Sequence, residues 1–299
     1  MSDYAGVVSA FYGNRVVLGR WKLSRMRKTA IRLLSQKGFD WRAMELAFYA
    51  EMTPDEQTRE RILRVPQADP EWHAARRHRA TGSLIGGFVQ GRLESVRSML
   101  WPGFVDLSGN PHIARGKRNE DAIRDNFMAS EHASHVVRVE EEGLYIPKGA
   151  PFVGTSPDGV LHCDNGTVQL LEIKCPARAA HPDIKPEYVA QLLSNMGSLL
   201  ERFGRARCAD NACMFVQQAG EALEHPLTVM SFEWRVAEVE ALWARAARMH
   251  YDEYVPRVLL QRAGLLQAGE LFPVLDLDAG LGPNMWDTED GLIGRPMKF

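Results

Sequence analysis

Residues 151–176, which read PFVGTSPDGVLHCDNGTVQLLEIKCP, constrain the fold of this chain more than any other segment. Two short apolar runs flank Asp164-Asn165-Gly166, and Asn-Gly between β-prone segments is typical of a tight hairpin turn. Folding the hairpin about residue 165 places Asp158 opposite Glu172. The segment therefore predicts two antiparallel strands, with one carboxylate on each strand at the open end of the hairpin.

The second strand of this hairpin alternates charged and apolar side chains. Glu172 and Lys174 are two positions apart and share one face, whereas Leu171 and Ile173 point the other way, into a core. With Asp158 across the hairpin, two carboxylates and one ammonium group converge at one end of the strands. Such a cluster can bind a divalent metal ion and activate a water molecule beside it.

These residue types suit magnesium chemistry. Mg²⁺ prefers carboxylate and backbone oxygen ligands and keeps several waters, so Asp158, Glu172 and the carbonyl of Ile173 are candidate ligands. Lys174 could position or deprotonate a metal-bound water, or neutralise a phosphate oxygen. For Glu172 and Lys174 alone, the alternative is a solvated pair, because Glu-x-Lys is expected by chance in a long charged chain. The whole unit, Ser156-Pro157-Asp158-Gly159 followed by Glu172-Ile173-Lys174, favours the catalytic interpretation.

This unit resembles a known nuclease pattern. Pro157-Asp158 followed by Glu172-Ile173-Lys174 fits the PD-(D/E)XK motif, and the longer form SPDG…LLEIKCP resembles the phage lambda exonuclease and YqaJ-type viral recombinase family. Further segments similar to that family occur in the family's order within residues 67–200: Glu71-Trp72-His73-Ala74-Ala75-Arg76, Thr81-Gly82-Ser83, Trp101, Gly116-Lys117-Arg118-Asn119-Glu120, Tyr188-Val189-Ala190-Gln191 and Met196.

The resemblance implies an α/β fold, a PD-(D/E)XK restriction-endonuclease-like core with a central mixed β-sheet flanked by helices. It also implies a Mg²⁺-dependent 5′→3′ exonuclease that acts on double-stranded DNA and leaves 3′ single strands for recombination. One or two Mg²⁺ ions are expected, with Mn²⁺ as a substitute. The implied partners are DNA with 5′-phosphate ends, a single-strand annealing protein and further copies of the chain in a homotrimeric ring.

Two helical positions join the expected catalytic set. Glu120, Ile123 and Phe127 fall near one helix face, and the match of Glu120 to the family's G-x3-E motif favours a carboxylate turned toward the metal over an exposed acid. Gln191 lies on a helix predicted over residues 186–203. It is expected to contact a phosphate or the lytic water, and the alternative is an ordinary polar helix residue.

A second set of residues is expected to hold the 5′-phosphate. The guanidinium of Arg76 and the hydroxyl of Ser83 suit a terminal phosphate, which bears an extra negative charge, and Ser156 joins them from the hairpin. In the resembled family this segment forms the pocket for the 5′-phosphate. Arg77 and Arg79 are equally basic neighbours, so the sequence leaves open which arginine binds. An ordinary surface arginine is the alternative.

Composition limits the class of protein. The 299 residues are 45% hydrophobic and carry a net charge of −2, so a DNA contact is expected in a local groove. We find no apolar stretch of transmembrane length and no signal-peptide core. Four cysteines without close pairing fit buried free thiols better than an iron–sulfur cluster, in a reducing, intracellular setting. With the resemblance, this indicates a phage- or virus-type protein of the host cytoplasm or nucleoid.

We divide the chain into a helical, partly basic extension over residues 1–65, a nuclease core over 66–262 and a tail over 263–299. Within the extension, residues 15–37 carry basic side chains and no acidic one. They form either a solvated helix face, as single charge runs usually do, or an arm that grips duplex phosphates. Periodicity and capping signals predict the remaining elements: helices over 40–51, 111–131 and 186–203, strands over 213–219 and 226–233, and a long helix over 233–262.

Two other functions are compatible with the same residues. A structure-specific or restriction-like DNA endonuclease can be built on this core, and it would cut closed circular DNA, which an exonuclease leaves intact. A non-catalytic DNA-binding or packaging protein could also keep the fold. The intact set of Asp158, Glu172 and Lys174 argues against this second alternative.

Overall fold

The computed structural model describes residues 3–16, 23–103, 109–178 and 184–273. The helices are α1 (Tyr4–Phe11), α2 (Arg25–Gln36), α3 (Trp41–Met52), α4 (Glu56–Leu63), α5 (Pro70–Arg76), α6 (Gly82–Val89), α7 (Leu93–Leu100), α8 (Pro111–Met128), α9 (Pro186–Phe203), α10 (Val236–Met249) and α11 (Val255–Arg262). The strands are β1 (Ala80–Thr81), β2 (Val136–Glu140), β3 (Val153–Gly154), β4 (Gly159–Cys163), β5 (Val168–Lys174), β6 (Cys208–Gln217) and β7 (Thr228–Glu233).

A mixed sheet forms the centre of the fold. Its strands lie in the order β2-β4-β5-β6-β7, with β5 parallel to β6 and the other neighbours antiparallel. Parallel neighbours need a long crossover, and α9 supplies it between β5 and β6. A short parallel pair, β1 with β3, lies outside this sheet. The expected α/β architecture, with a central mixed sheet flanked by helices, is confirmed.

Strands β4 and β5 form the predicted hairpin. Gly159 pairs with Leu171, so the same register continues to Asp158 opposite Glu172. The turn depends on Gly166, which has a φ of +79°, because residues with a Cβ rarely adopt that value. The hairpin puts β5 in the middle of the sheet, where both of its faces are covered.

Helices cover both faces of β5. On one face, Leu170 belongs to the main hydrophobic core together with side chains of α9 and α10. On the other face, Leu171 packs in a second cluster with Ile123 and Phe127 of α8. Because both faces are covered, every residue of β5 before Lys174 is buried, including the polar Gln169 and Glu172.

Glycines let α9 approach its neighbours closely. A Cβ on Gly197 would lie 2.6 Å from the Trp243 ring on α10. A Cβ on Gly86 of α6 would lie 2.9 Å from the Cα of Glu187 at the start of α9. This close packing brings the first turn of α6 beside the face of α9 that looks onto the sheet.

The N-terminal extension contributes to the main core. Val8 and Phe11 of α1, and Tyr12 directly after it, are buried in the same cluster as Phe152 and Tyr254 from the later chain. The described residues of the extension and of the expected nuclease core therefore share one hydrophobic interior.

The basic segment 15–37 contains a buried ion pair. Arg27 is 2% exposed, and its Nη2 lies 2.6 Å from the Oε2 of Glu45 on α3. Because Arg27 is buried against a partner on a neighbouring helix, it belongs neither to a solvated helix face nor to an arm that contacts DNA. Both interpretations of the segment are therefore wrong for this arginine. Residues 17–22 of the segment lie outside the described residues.

The last helical segment changes pitch in its middle. Between α10 and α11, residues His250–Tyr254 form a π-helical turn, so the long helix expected over 233–262 is present with a local widening. The expected strands are present as β6 and β7, although β6 begins earlier than predicted.

The four cysteines are free thiols: Cys163, Cys175, Cys208 and Cys213. No helix in the described ranges has the length and apolar character that crossing a bilayer requires. The tail beyond residue 273 lies outside those ranges.

Candidate active site

The open end of the β4–β5 hairpin holds the first of the expected catalytic residues. Asp158 comes directly before β4, and its Oδ2 accepts a hydrogen bond of 2.6 Å from the Ile173 amide. The N–H and C=O of one strand residue point toward the same neighbour, so the Ile173 carbonyl faces Asp158 as well. Because β4 begins only at Gly159, this edge of β5 is covered by the Asp158 side chain and not by strand pairing.

Glu172 is the centre of a buried polar cluster and is 1% exposed. Its Oε1 accepts hydrogen bonds from Lys174 Nζ and, at 2.6 Å, from Gln191 Nε2. Its Oε2 accepts a hydrogen bond of 3.0 Å from Asn195 Nδ2. The structure thus places Glu172 and Lys174 on one face of β5, and it brings Gln191 to them from α9.

Burial and like charges shift the carboxyl groups of this site toward their neutral forms. Burial, and then the nearby Asp158, raises the pKa of Glu172 to about 8. Burial raises the pKa of Asp158, and burial together with Asp158 raises the pKa of Glu120 to about 7. Burial disfavours the ammonium of Lys174, but the adjacent Glu172 and Asp158 outweigh it and raise its pKa. Crowded carboxylates of this kind are stabilised by a cation.

Helix α8 brings Glu120 to the same end of the sheet. Ile123 and Phe127 are buried, and Glu120, whose side chain is 34% exposed, lies close enough to Asp158 for their charges to interact. Arg124, one turn further along, lies 3.4 Å from Glu120 Oε1 and donates to the Asp158 carbonyl at 3.4 Å. Arg124 therefore connects α8 to the hairpin.

The ammonium of Lys174 keeps some access to solvent. Its side chain is 23% exposed, and Nζ lies 5.4 Å from the centre of the Tyr188 ring. A cation over an aromatic face is attracted by the ring quadrupole. Lys174 is therefore held between Glu172 and Tyr188 with room for a further partner.

A cleft connects the polar cluster around Glu172 and Asp158 to the residues expected to bind phosphate. It has a volume of about 160 Å³ and is lined by Arg76, Ser83, Ser156, Asp158 and Gln191, among others. That volume is the liquid share of about five water molecules, which is enough for a phosphate group. The structure thus brings together residues that lie far apart in the sequence.

Arg76 is held in this cleft by its neighbours. Asp69 caps the start of α5 and Pro70 occupies its first turn, where a missing N–H costs nothing. At the other end of α5, the guanidinium of Arg76 donates to Thr81 Oγ1 at 3.1 Å and lies 4.2 Å from the centre of the Trp72 ring. Burial lowers the pKa of Arg76. A half-buried cation of this kind favours an anionic ligand.

The two neighbouring arginines have other surroundings. Arg79 is 5% exposed and donates to the Met52 carbonyl at 2.9 Å, so it is part of the interior. Arg77 is exposed and lines a different cavity. Of the three arginines that the sequence leaves as candidates, only Arg76 lies in the cleft beside Asp158.

The donor set fits a divalent ion, although it is not arranged as a finished cage. Among the residues that the structure describes, no three His, Cys, Asp or Glu side chains are placed to hold a metal. The set is nevertheless rich in mutually repelling carboxylates, and the Oδ1 of Asn195 is buried without a hydrogen-bond partner in the described part of the chain. Asp158, Glu172, Glu120 and Ile173 stay predicted ligands.

Two polar residues of this site are missed by the sequence reasoning. Asn195 follows Gln191 by four positions, and Arg124 follows Glu120 by four positions. Residues four apart lie on the same helix face, so each missed residue is one turn beyond a predicted one. That spacing is the signal that could have identified them.

Parts of the chain are similar to known proteins. Residues 71–198 match the family model of the YqaJ-like viral recombinase domain. The alkaline exonuclease LHK-Exo from Laribacter hongkongensis is 24% identical, with a TM-score of 0.47 over 66% of this chain and 98% of that chain. Its complex with dAMP is 23% identical, with a TM-score of 0.45 over the same shares. SSO0001 is 12% identical, with a TM-score of 0.35 over 64% of this chain and 81% of that chain. No curated protein matches the sequence.

Proposed function

We propose, on the premise that residues 71–198 form a YqaJ-like viral recombinase domain, that this protein is a metal-dependent nuclease that digests double-stranded DNA from its 5′ ends. One observation carries the proposal. Asp158, Glu172 and Lys174 meet at the open end of the β4–β5 hairpin, and a cleft lined by Arg76 begins at Asp158. A cation that holds a terminal phosphate next to a hydrolytic cluster positions the adjoining phosphodiester for attack. Digestion in the 5′→3′ direction would leave 3′ single strands.

The contacts of each residue define its part in the reaction. The Lys174 ammonium is placed to hold the attacking water or to neutralise charge that develops on the phosphate oxygens. Glu172 keeps that ammonium in place. Gln191 touches Glu172 and also lines the cleft, so its amide can contact the scissile phosphate. Asp158, fixed by the Ile173 amide, is the residue that both the cluster and the cleft share.

Mg²⁺, as one or two ions that Mn²⁺ can replace, suits the chemistry of this donor set. Asp158, Glu172, Glu120 and the Ile173 carbonyl would hold it, since magnesium takes hard oxygen ligands. When bound, the metal polarises the scissile phosphate and lowers the pKa of water. The raised pKa values of Glu172 and Glu120 support this assignment, because crowded carboxylates call for a positive charge between them.

The first experiment measures degradation of linear duplex DNA with Mg²⁺ by Glu172→Gln and Lys174→Met. We expect neither variant to degrade DNA, while both bind it in Ca²⁺ as the unchanged protein does. Lys185→Met is the matched control, because Lys185 also lies beside Tyr188, at 5.8 Å, but is not among the donors to Glu172 in the described part of the chain. Full activity of Lys174→Met would rule out the mechanism.

The second experiment tests the phosphate contact. Arg76→Gln should slow digestion of 5′-phosphorylated ends by about tenfold relative to 5′-hydroxyl ends, because a charge-assisted contact to the terminal phosphate is lost. Arg64→Gln is the control, since the Arg64 side chain, directly after α4, is 81% exposed and its ion pair among the described residues is with Glu60 of that helix. An equal slowing of both kinds of end would make Arg76 a general DNA contact.

The degradation assay also distinguishes an exonuclease from an endonuclease when the substrate is closed circular duplex DNA. An exonuclease leaves closed circular duplex intact, whereas an endonuclease on this core opens it. The remaining parts of the proposal are a ring of three chains around the duplex and a single-strand annealing protein that receives the 3′ strands.

A further inference from the structure

A second cavity lies beside the phosphate-binding cleft. It has a volume of about 450 Å³ and is lined by Arg77, His78, Leu100, Trp101 and Gln261, among others. Sites for small organic ligands have volumes of about 300–1,000 Å³, so a nucleotide fits this space. Neither the proposed catalytic residues nor the phosphate-binding residues line it.

One turn of the chain separates this cavity from the cleft. Arg76 lines the cleft and Arg77, the next residue, lines the cavity. Adjacent Cα atoms are about 3.8 Å apart, so the two guanidinium groups leave the same point of the backbone for two different spaces. Arg77 and His78 line the cavity, whereas Thr81, three residues further along, lines the cleft again, so we call the intervening segment 77–79 the wall between the two spaces.

This wall is held rigidly. His78 has a φ of +64°, a left-handed conformation that is uncommon outside glycine and that surrounding structure must maintain. Two contacts do so: His78 Nδ1 lies 2.6 Å from the Tyr254 hydroxyl, and the His78 carbonyl lies 3.1 Å from His250 Nε2. The next residue, Arg79, is tied to the Met52 carbonyl. The turn is therefore fixed to the π-helical turn on one side and to α3 on the other.

The lining of the cavity matches a nucleotide. The indole N–H of Trp101 donates to the Glu270 carbonyl at 2.9 Å, which fixes a ring that stays partly exposed. Arg77 is exposed, and no carboxylate in the described part of the chain forms an ion pair with it. A fixed aromatic ring offers a stacking surface to a base, and a nearby arginine suits the phosphate of the same nucleotide.

We propose that this cavity binds a nucleotide of the strand that is not hydrolysed, with its base on Trp101 and its phosphate on Arg77. Residues 77–79 then divide the two strands at the DNA end, with the 5′-phosphate on the Arg76 side. The inference rests on the proposed function, because only a duplex end held in the cleft presents its other strand to the cavity.

A binding experiment tests the stacking contact without catalysis. The probe is a 5′-phosphorylated duplex with 2-aminopurine at the 3′ end of the complementary strand, bound in Ca²⁺ by Glu172→Gln protein. We expect the base to be quenched on the indole, and to become several-fold brighter when Trp101→Leu is added. Trp101→Phe, which keeps a ring, should restore part of the quenching. Equal brightness with and without Trp101, in variants whose melting temperatures match, would overturn the proposal.

A kinetic experiment tests the dividing turn. Arg77→Gln should slow digestion of fully paired ends by about tenfold, and much less when the terminal nucleotides are already unpaired. Its ratio of rates on 5′-phosphate and 5′-hydroxyl ends should stay unchanged, in contrast to Arg76→Gln, and Arg64→Gln should change neither quantity. Equal slowing of paired and unpaired ends by Arg77→Gln contradicts the divider. If the unchanged protein digests no DNA, the proposed nuclease function fails, whereas the fluorescence result still decides whether the cavity holds a base.

Discussion

At the scale of single residues, the site depends on how Glu172 is held. Its two oxygens are divided between donors: Asn195 takes Oε2, while Lys174 and Gln191 share Oε1. A buried carboxylate with several donors keeps one orientation, because turning it would leave those donors unpaired. Asn195 is therefore a positioning residue, since it touches Glu172 and not the cleft.

This role predicts a specific kinetic effect for Asn195→Ala. The turnover number should fall by about tenfold, because Glu172 loses one of its anchors, whereas the Michaelis constant for DNA should change little. Steady-state digestion of a labelled linear duplex measures both. Ser198→Ala is the control, because Ser198 is buried on the same helix and its hydroxyl bonds, within the described residues, to the Ser194 carbonyl and not to Glu172. Equal effects of the two substitutions would make Asn195 a residue of general packing.

At the scale of elements, the site depends on how closely α9 packs. This helix carries Gln191 and Asn195 on its sheet-facing side, and its contacts with α10 and α6 are made over glycine. Close packing without a Cβ sets the height of α9 above β5. The distance from Gln191 to Glu172 is thus decided by a residue on another face of the same helix.

Two glycine substitutions should have opposite effects on stability. Gly197→Ala should lower the free energy of unfolding by about 1–3 kcal/mol, because its Cβ would lie 2.6 Å from the Trp243 ring. Gly116→Ala on α8 should raise it by up to about 1 kcal/mol, because within the described residues the added Cβ would meet no atom within 4 Å beyond its own stretch of helix, and alanine is the better helix former. Urea unfolding curves measure both. A neutral Gly197→Ala would mean that α10 moves aside at little cost.

At the scale of the whole molecule, one line of polar contacts joins distant parts of the chain. Tyr12 of the N-terminal extension lies 2.9 Å from His250 Nδ1, and His250 in turn binds the carbonyl of His78 beside the phosphate-binding cleft. The extension therefore helps to hold the turn at His78 in place. The ring of three chains stays a prediction, and Arg27, which is paired with Glu45, is not available to line its channel.

The same histidines predict how stability depends on pH. Burial lowers the pKa of His78 to about 4 and that of His250 to about 3, against about 6.5 for an unperturbed imidazole. Between pH 6.5 and pH 4 these two histidines therefore bind more protons in the unfolded chain than in the folded one, so their contribution to stability falls as the pH falls. The loss approaches about 1.4 kcal/mol per pH unit for each histidine.

His78→Asn isolates one of these contributions, because asparagine accepts a positive φ and does not titrate. From pH 6.5 to pH 4.5 the variant should lose roughly 2 kcal/mol less free energy of unfolding than the unchanged protein. Urea unfolding at several pH values measures the difference between the two proteins. The contributions of the carboxyl groups with raised pKa cancel in this difference, because both proteins contain them. Parallel curves for the two proteins would show that His78 takes up its proton at the same pH in the folded and unfolded chains, so that burial does not lower its pKa.

The sequence by itself determined the parts of this protein that follow local rules. Asn165-Gly166 fixes the hairpin, the hairpin fixes the register, and the register with a period of two places Asp158, Glu172 and Lys174 together. Helices α8 and α9 were equally readable, because an apolar period and a terminal proline or glycine lie within the segment itself. These features need no knowledge of the rest of the chain.

The tertiary structure alone decided which of several similar residues serves each purpose. Arg76, Arg77 and Arg79 differ little in sequence, yet one enters the cleft, one enters the second cavity and one is buried. Arg27 is likewise paired with Glu45, because α3 packs beside it. A side chain's partner is set by which elements pack beside it, and contacts between residues far apart in sequence leave no periodic signal along the chain.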